Sequence, residues 1–382
     1  MWGQYGQSGK APEDHGLAKL QCDVIPYQNN LPDEVRFAWE ALLPGSMTPV
    51  FLHPDWLAMA IDTNAVERGF VLIFRDGDGV RGLLPLQYRT RWTAEITAPM
   101  APDILPLIVT PGAEEALWPA LAAWLRCSPF LMVRLGRLPP ERFAHLLELT
   151  LAQGLTPIVR QAALALWAPL PDSWEAYLKG LPKSSRYKVR HAEEKILADF
   201  PDADIRLNTD PVTCTGEVET LIRLNLLRWQ HQKHRSFLEN PRMTVLLRRF
   251  TAWAVTQGFG CVATLRISGQ TVAAATCIHV PGQPAAYYHV VGRHPTALPN
   301  QYSPGLLLAG RIIRWAIERG AERISLGQGS MPYKLVLGGV EHPQWELTIA
   351  TSKMAAAVMC MVDPAIRFTR MQLIRLLDRL RV

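Results

Sequence analysis

Residues 300–320 read NQYSPGLLLAGRIIRWAIERG, and the reading of the whole chain turns on this run. Ser303 suits a helix N-cap, Pro304 the first helical position, where a missing N–H costs nothing, and Gly320 the stop. Leu308, Ile312, Trp315 and Ala316 share one face, and Arg311, Arg314 and Glu318 share another. That spacing predicts an amphipathic helix buried on one side. Its first turn holds Gly305 and no acid. Unpaired N–H groups, the positive end of the helix dipole and a residue without a side chain together offer a phosphate direct contact with backbone. A well-capped core helix with no ligand accounts for the same residues, so both readings stand at this point.

The same form occurs earlier in the chain. VLIFRDGDGVRGLLPLQYR (71–89) and CVATLRISGQTVAAATCIHV (261–280) each read as strand, tight turn and strand, with Val80 and Val272 opening the return strands at an offset of 192 (272 − 80). TPGAEEALWPALAAWL from Thr110 answers SPGLLLAGRIIRWAI from Ser303 at an offset of 193 (303 − 110). LMVRLG and ERISLG, ending at Gly136 and Gly327, follow at an offset of 191 (327 − 136). Three features in one order at nearly one offset predict two similar α/β units, 46–170 and 171–352, joined near Leu166–Trp174. Residues 1–45 are expected to form a polar, poorly ordered lead-in followed by a helix, and 353–382 a basic amphipathic helix. In the first copy Glu114 and Glu115 follow the Thr-Pro-Gly triplet, where they would repel a pyrophosphate. The donor site is therefore expected in the second unit, with the first non-catalytic.

Composition bounds the remaining choices. The chain has 382 residues, 48% hydrophobic and 19% charged, enough for two packed cores. Its net charge of +6 is spread except in the arginine-rich tail, which suits anionic partners in general. Six cysteines without a CxxC pair, and the lack of a signal-like or long uncharged apolar run, point to a cytoplasmic protein. Nucleic acid is not an expected partner. His231 and His234 have a metal-like spacing, but Lys233 and Arg235 oppose a cation, so no metal is expected. Neither a GxSxG elbow, nor a P-loop, nor HExxH is found in the sequence. Cys261 and Cys277 read as core residues rather than nucleophiles, which favours direct transfer without a covalent enzyme intermediate.

The order of the second unit carries a resemblance. A basic helix with SSRYK, then LRWQHQKH, a hairpin, AYYHVVGRH, YSPGLLL and MPYK resembles the CelD-like acetyltransferases of bacterial cellulose biosynthesis, within the GNAT superfamily. The layout is also similar to the Fem-type peptidoglycan aminoacyltransferases, which are tandem GNAT folds. The resemblance covers about residues 51–352 and is most specific between Leu181 and Lys334. It implies tandem GNAT-like units, each a mixed, mostly antiparallel sheet flanked by helices, and an acyl-CoA (acetyl-CoA) co-substrate. Ser325 and Gln328 stand where such proteins often carry an acid and an arginine around the Gly-x-Gly.

Such a reaction needs a pyrophosphate held, an oxyanion stabilised and protons moved. Ser303, Pro304, Gly305, Leu306 and Leu307 are the expected pyrophosphate site, through the N–H groups of the last three. Backbone N–H groups from His289 to Val291 are expected at the oxyanion. His289 is the expected base or relay, with a core histidine as the alternative. Tyr333 is placed to protonate the leaving thiolate and Lys334 to meet a phosphate, the alternative being a packed Tyr and a solvated Lys. Arg186, Arg228 and Trp229 are the expected substrate-binding residues, against a solvated helix face for Arg186 and a buried Trp covered by Arg228. The acceptor is expected to be a small molecule, a saccharide or a lipid-linked precursor. Three function classes follow: an acyl-CoA transferase, a Fem-like aminoacyl-tRNA-dependent transferase, and a non-catalytic assembly protein. The tail from Asp363 either docks on the second unit or touches an anionic membrane at the cytoplasmic face.

Overall fold

The computed structural model describes residues 20–43, 50–97, 100, 107–138 and 140–362. The first half runs β1 (Gln21–Tyr27), α1 (Asp33–Leu42), α2 (Pro54–Asp62), β2 (Gly69–Asp76), β3 (Gly79–Thr90), β4 (Thr93–Ile96), β5 (Ile108–Val109), α3 (Glu114–Cys127), β6 (Met132–Leu138), α4 (Pro140–Ala152) and β7 (Thr156–Pro169). The second runs α5 (Trp174–Gly180), α6 (Lys183–Asp199), β8 (Asp204–Asn208), α7 (Pro211–His231), α8 (Pro241–Thr256), β9 (Gly260–Ile267), β10 (Gln270–His279), β11 (Ala285–Arg293), α9 (Pro304–Glu318), β12 (Arg323–Gln328), α10 (Pro332–Val336), β13 (Val340–Ala350) and α11 (Lys353–Val362).

All the described strands join one mixed, mostly antiparallel sheet rather than two, in the order β1-β2-β3-β4-β6-β13-β7-β12-β11-β10-β9-β8, with β5 beside β3. Two pairs are parallel, β4 with β6 and β11 with β12, one in each half. One such pair follows each of the two strand-turn-strand stretches. The expected junction near Leu166–Trp174 spans the end of β7 and the start of α5, but strands cross it. β13 pairs with β6 and β7, and β7 also pairs with β12. Each half thus supplies a strand that borders the other.

Helices cover both faces, which explains why β2 and β9 are apolar along nearly their whole length instead of alternating. Beneath α9 and α6 lies one core, with Leu308, Ile312, Ile313, Ala263 and Ala275; beneath α7 lies another, with Leu221, Leu224, Val262 and Val290. A third core joins the halves, bringing Phe51, Trp56, Val71 and Leu83 against Phe250, Ile278 and Tyr287. Each fully buried Leu, Ile or Phe there contributes about 1.5–3 kcal/mol. Cys261 and Cys277 are buried and face each other across β9 and β10.

The lead-in differs from expectation. β1 forms the sheet edge on β2, with the Tyr27 hydroxyl donating to the Leu86 carbonyl at 2.9 Å. Residues 1–19 lie outside the described residues, as do 363–382, and with them the tail expected either to dock on the second unit or to touch a membrane. No helix among the described residues is long and apolar enough to cross a membrane.

Candidate functional site

β11 pairs with β12 only through Ala285–Arg323, Ala286–Ile324 and Tyr287–Ser325. β11 continues to Arg293 and β12 to Gln328, so beyond Tyr287 the two strands part and the ladder on that side of β11 ends. On its other side β11 carries a bulge. Ala275 pairs with Val291 and Cys277 with Tyr288, leaving His289 and Val290 to share Thr276. The Val290 N–H donates to Thr276 Oγ1 at 3.1 Å, and Asn225 Nδ2 of α7 donates to the Val291 carbonyl at 2.7 Å. The Ser236 hydroxyl in turn holds Asn225 Oδ1 at 2.7 Å. α7 can lie this close because residue 292 is glycine: a Cβ there would stand 2.6 Å from the Asn225 nitrogen. The extra residue aims three side chains apart. Tyr288 enters the core under α9, Val290 the core under α7, and His289 the junction between the halves.

The opening of α9 is built differently from the expected N-cap. Ser303 is left-handed (φ 42°, ψ 59°) and its side chain makes no capping bond to the helix. Its carbonyl accepts the Leu306 N–H at 2.8 Å and the Leu307 N–H at 3.2 Å. Two of the three N–H groups expected at a pyrophosphate therefore point into the helix. Pro304, Leu306 and Leu307 are buried. At Gly305 a Cβ would meet nothing within 4 Å, so that position alone of the three stands before open space. The first copy is not equivalent: Gly112 (φ 81°) lies in a turn, and α3 starts only at Glu114, whose carboxylate Arg142 holds at 2.8 Å. Near the parallel pair of that half, Glu95 and Glu346 are ion-paired with Arg89, Arg134 and Arg160.

Three expected roles are corrected by geometry. His289 packs its ring against Phe51 and Phe250, and its Nε2 bonds the Met100 carbonyl at 3.2 Å. Burial pushes its pKa down to about 4, the Met100 bond opposing weakly, so the ring is neutral near pH 7. Its polar partner belongs to the first half, which fits the core alternative better than a base. Lys334 is buried rather than reaching for a phosphate. Its ammonium donates to the carbonyls of Gln328 at 2.6 Å and Gly329 at 3.1 Å, stapling the bend after β12. Arg186 donates to the Lys179 and Leu181 carbonyls, both at 3.3 Å, and so ties the end of α5 to α6.

Arg228 lies within electrostatic reach of Tyr333 and of two residues that the sequence reading passed over, Tyr288 and Arg293. Arg228 lies over the Trp229 ring, 5.5 Å from its centroid. Burial pushes the Tyr288 phenol well above its usual range, with Tyr333 adding to the rise and Arg228 opposing it. Burial likewise raises Tyr333, again against Arg228. Both phenols keep their protons at neutral pH. The one available signal for Arg293 was a charged residue closing the apolar strand AAYYHVVGR.

Comparison with known proteins fits this geometry. Residues 183–335 match the acetyltransferase (GNAT) domain. That span runs from the start of α6 into α10 and contains the diverging strands, the bulge and α9. No curated protein matches the chain. Among solved structures, FemX has a TM-score of 0.59 at 9% identity, over 84% of this chain and 96% of that one. L-PGS from Bacillus licheniformis has 0.55 at 11%, over 90% and 99%. The C-terminal domain of a putative lysylphosphatidylglycerol synthetase from Agrobacterium fabrum has 0.52 at 12%, over 85% and 95%. At such identities the likeness carries the fold alone, and the fold is GNAT-like.

Proposed function

We propose that the second half transfers an acyl group directly from an acyl-CoA thioester to an amine or hydroxyl acceptor. The observation that carries this reading is the parting of β11 and β12 beyond Tyr287, next to a helix start left open at Gly305. An unladdered strand edge can pair with an amide-bearing pantetheine arm, and the helix end receives the pyrophosphate. The acceptor atom attacks the thioester carbon while its proton passes to solvent. Backbone N–H groups of the bulge beside Val291 hold the oxyanion; Val290 is committed to Thr276. The C–S bond then breaks and the thiolate takes the proton of Tyr333, whose burial keeps it protonated until that step; the phenolate then regains a proton from the solvent that received the acceptor's. Lys334 acts by fixing the bend that carries Tyr333, and His289 by anchoring the bulge to the first half. In keeping with the CelD-like resemblance, the acceptor is a saccharide or lipid-linked precursor of the cell surface, met at the cytoplasmic face of the inner membrane.

The test is thermal unfolding with CoA and acetyl-CoA, followed by thiol release in the presence of amino sugars. Ligand at a hundred times its Kd stabilises the native state by about 2.7 kcal/mol. An unchanged transition with both ligands refutes the donor assignment, and stabilisation by aminoacyl-tRNA in their place would make the enzyme Fem-like.

A further inference from the structure

Arg228 and Arg293 are half-buried where the end of β11 meets α7: Arg293 follows Gly292, whose Cβ position is 2.9 Å from the Leu224 Cβ, Arg228 lies one turn beyond Leu224, and the two guanidiniums are within electrostatic reach of each other. Among the described residues neither guanidinium forms an ion pair or a hydrogen bond. Several other guanidiniums of this half have carboxylate partners: Arg242 meets Glu67, Arg248 meets Glu219 and Arg311 meets Glu193. Arg228 Nε is shut off from solvent with no partner, and so is the Tyr288 hydroxyl. Two like charges and two orphaned donors in one partly dry place are costly unless a further group completes them. Burial, and after it the charge of Arg228, lower the Arg293 pKa, but an arginine stays charged near pH 7. The missing group is therefore an anion, and forked donors suit a carboxylate or a phosphate.

We propose that Arg228 and Arg293, with the Tyr288 hydroxyl, form a receptor for a carboxylate or phosphate carried by the acyl acceptor. The assignment to the acceptor rests on the donor site proposed above. α7, which carries Arg228, covers one face of the sheet, and α9, which carries Gly305, covers the other. Tyr288 lies in the core under α9, so the receptor draws on both faces of the sheet at the opening between β11 and β12. The selected acceptors are then acidic ones, such as a phosphosugar amine or an amino acid, over their neutral counterparts.

Inorganic phosphate is the probe, titrated against the full chain by thermal unfolding at constant ionic strength with chloride as the control. Phosphate should raise the transition temperature, and Arg293→Met and Arg228→Met should each weaken that response about tenfold to a hundredfold, the loss of one or two charge-assisted bonds. Without phosphate the Met variants should melt no lower than the native chain, because each removes a like-charge neighbour. If a Met variant fails to fold, Arg293→Lys keeps the charge without the fork and should show an intermediate response. Equal phosphate responses in native chain and variants, or none in the native chain, overturn the receptor. Repeating the titration with saturating CoA separates the two sources of the anion. Independent binding supports the acceptor, and mutual exclusion assigns the arginines to the donor and overturns the proposal. If CoA produces no shift while the phosphate response still depends on Arg293, the receptor stands and the acyl-CoA reading falls. Thiol release with glucosamine and glucosamine 6-phosphate then reads the preference directly, with at least tenfold in kcat/KM expected for the phosphorylated amine and lost in Arg293→Met.

Discussion

Replacing Gly305 by Asp separates the fold of α9 from its proposed use. The position is helical, its Cβ would meet nothing within 4 Å, and its turn carries no acid. A carboxylate there improves the helix by about 0.3–1 kcal/mol through the dipole. Loss of glycine from a helical position adds about 0.5–1 kcal/mol. The unliganded variant should therefore unfold at a denaturant concentration equal to or above that of the native chain. Binding should change the other way. A carboxylate about 4 Å from a phosphate charge, at an effective dielectric of about 20, costs about 4 kcal/mol, or roughly a thousandfold in CoA affinity. Calorimetric titration of CoA into the native chain, Gly305→Ala and Gly305→Asp separates bulk from charge, because Ala adds only the Cβ. Gly112→Asp should show the reverse pattern: a stability loss of about 1 kcal/mol, since φ is 81° there, and unaltered CoA affinity. A Gly305→Asp chain that binds CoA as tightly as Gly305→Ala does would refute the pyrophosphate site.

Tyr333→Phe should lower kcat about a hundredfold while CoA affinity measured by titration stays the same, as expected of a proton donor. Lys334→Met leaves the Gln328 and Gly329 carbonyls without their buried cation and should cost about 2 kcal/mol in urea unfolding, whereas a phosphate ligand would instead have lost CoA affinity at unchanged stability. His289 has a folded pKa of about 4 against an ordinary 6.5, so the unfolded chain takes up its proton first as pH falls. Its contribution is complete above about pH 6.5 and falls by about 1.4 kcal/mol per unit toward pH 4. His289→Gln, which can keep a donor to the Met100 carbonyl, should flatten the decline in stability between pH 7 and 4.5, and parallel curves for the two chains would show that the ring titrates freely.

The parts of the fold that depend on local pattern were legible in the sequence. The 3.6-residue spacing of Leu308, Ile312, Trp315 and Ala316 gave α9, and strand-turn-strand composition gave β2–β3 and β9–β10. Pairing between distant segments was not legible, because β7 and β13 carry no mark of which half they will border. Site chemistry divided along the same line. Arg228 and Tyr333 are proposed from motif, whereas Tyr288 and Arg293 are not, because the bulge at His289–Val290 shifts the strand's alternation and one inserted residue is invisible in composition. Ser303 misled for a local reason. A serine before proline reads as a cap, and whether it bends left-handed instead is set by the turn at Asn300–Tyr302 leading into it.

Strand exchange gives the first half a part in opening the site. β12 is held on its far side by β7, through Arg323–Pro169, Ile324–Ala168 and Ser325–Trp167, and after an irregularity through Gln328–Ala165. The Gly329 N–H then donates to the Leu164 carbonyl at 3.0 Å, so the bend bearing Lys334 and Tyr333 is moored to the first half as well. β11, by contrast, follows β10 and is drawn under α7 by Asn225 and Gly292. Two neighbouring strands with different masters must separate where their allegiances divide, and that is the point just beyond Tyr287 and Ser325. The pairing of the corresponding strands in the first half is surrounded by ion pairs among Glu95, Glu346, Arg89, Arg134 and Arg160, each cation there already having its anion. In the second half the Arg228 and Arg293 guanidiniums have no anion among the described residues. The asymmetry between the copies therefore lies less in the acids after Thr110-Pro111-Gly112 than in which half leaves charge uncompensated beside an open strand.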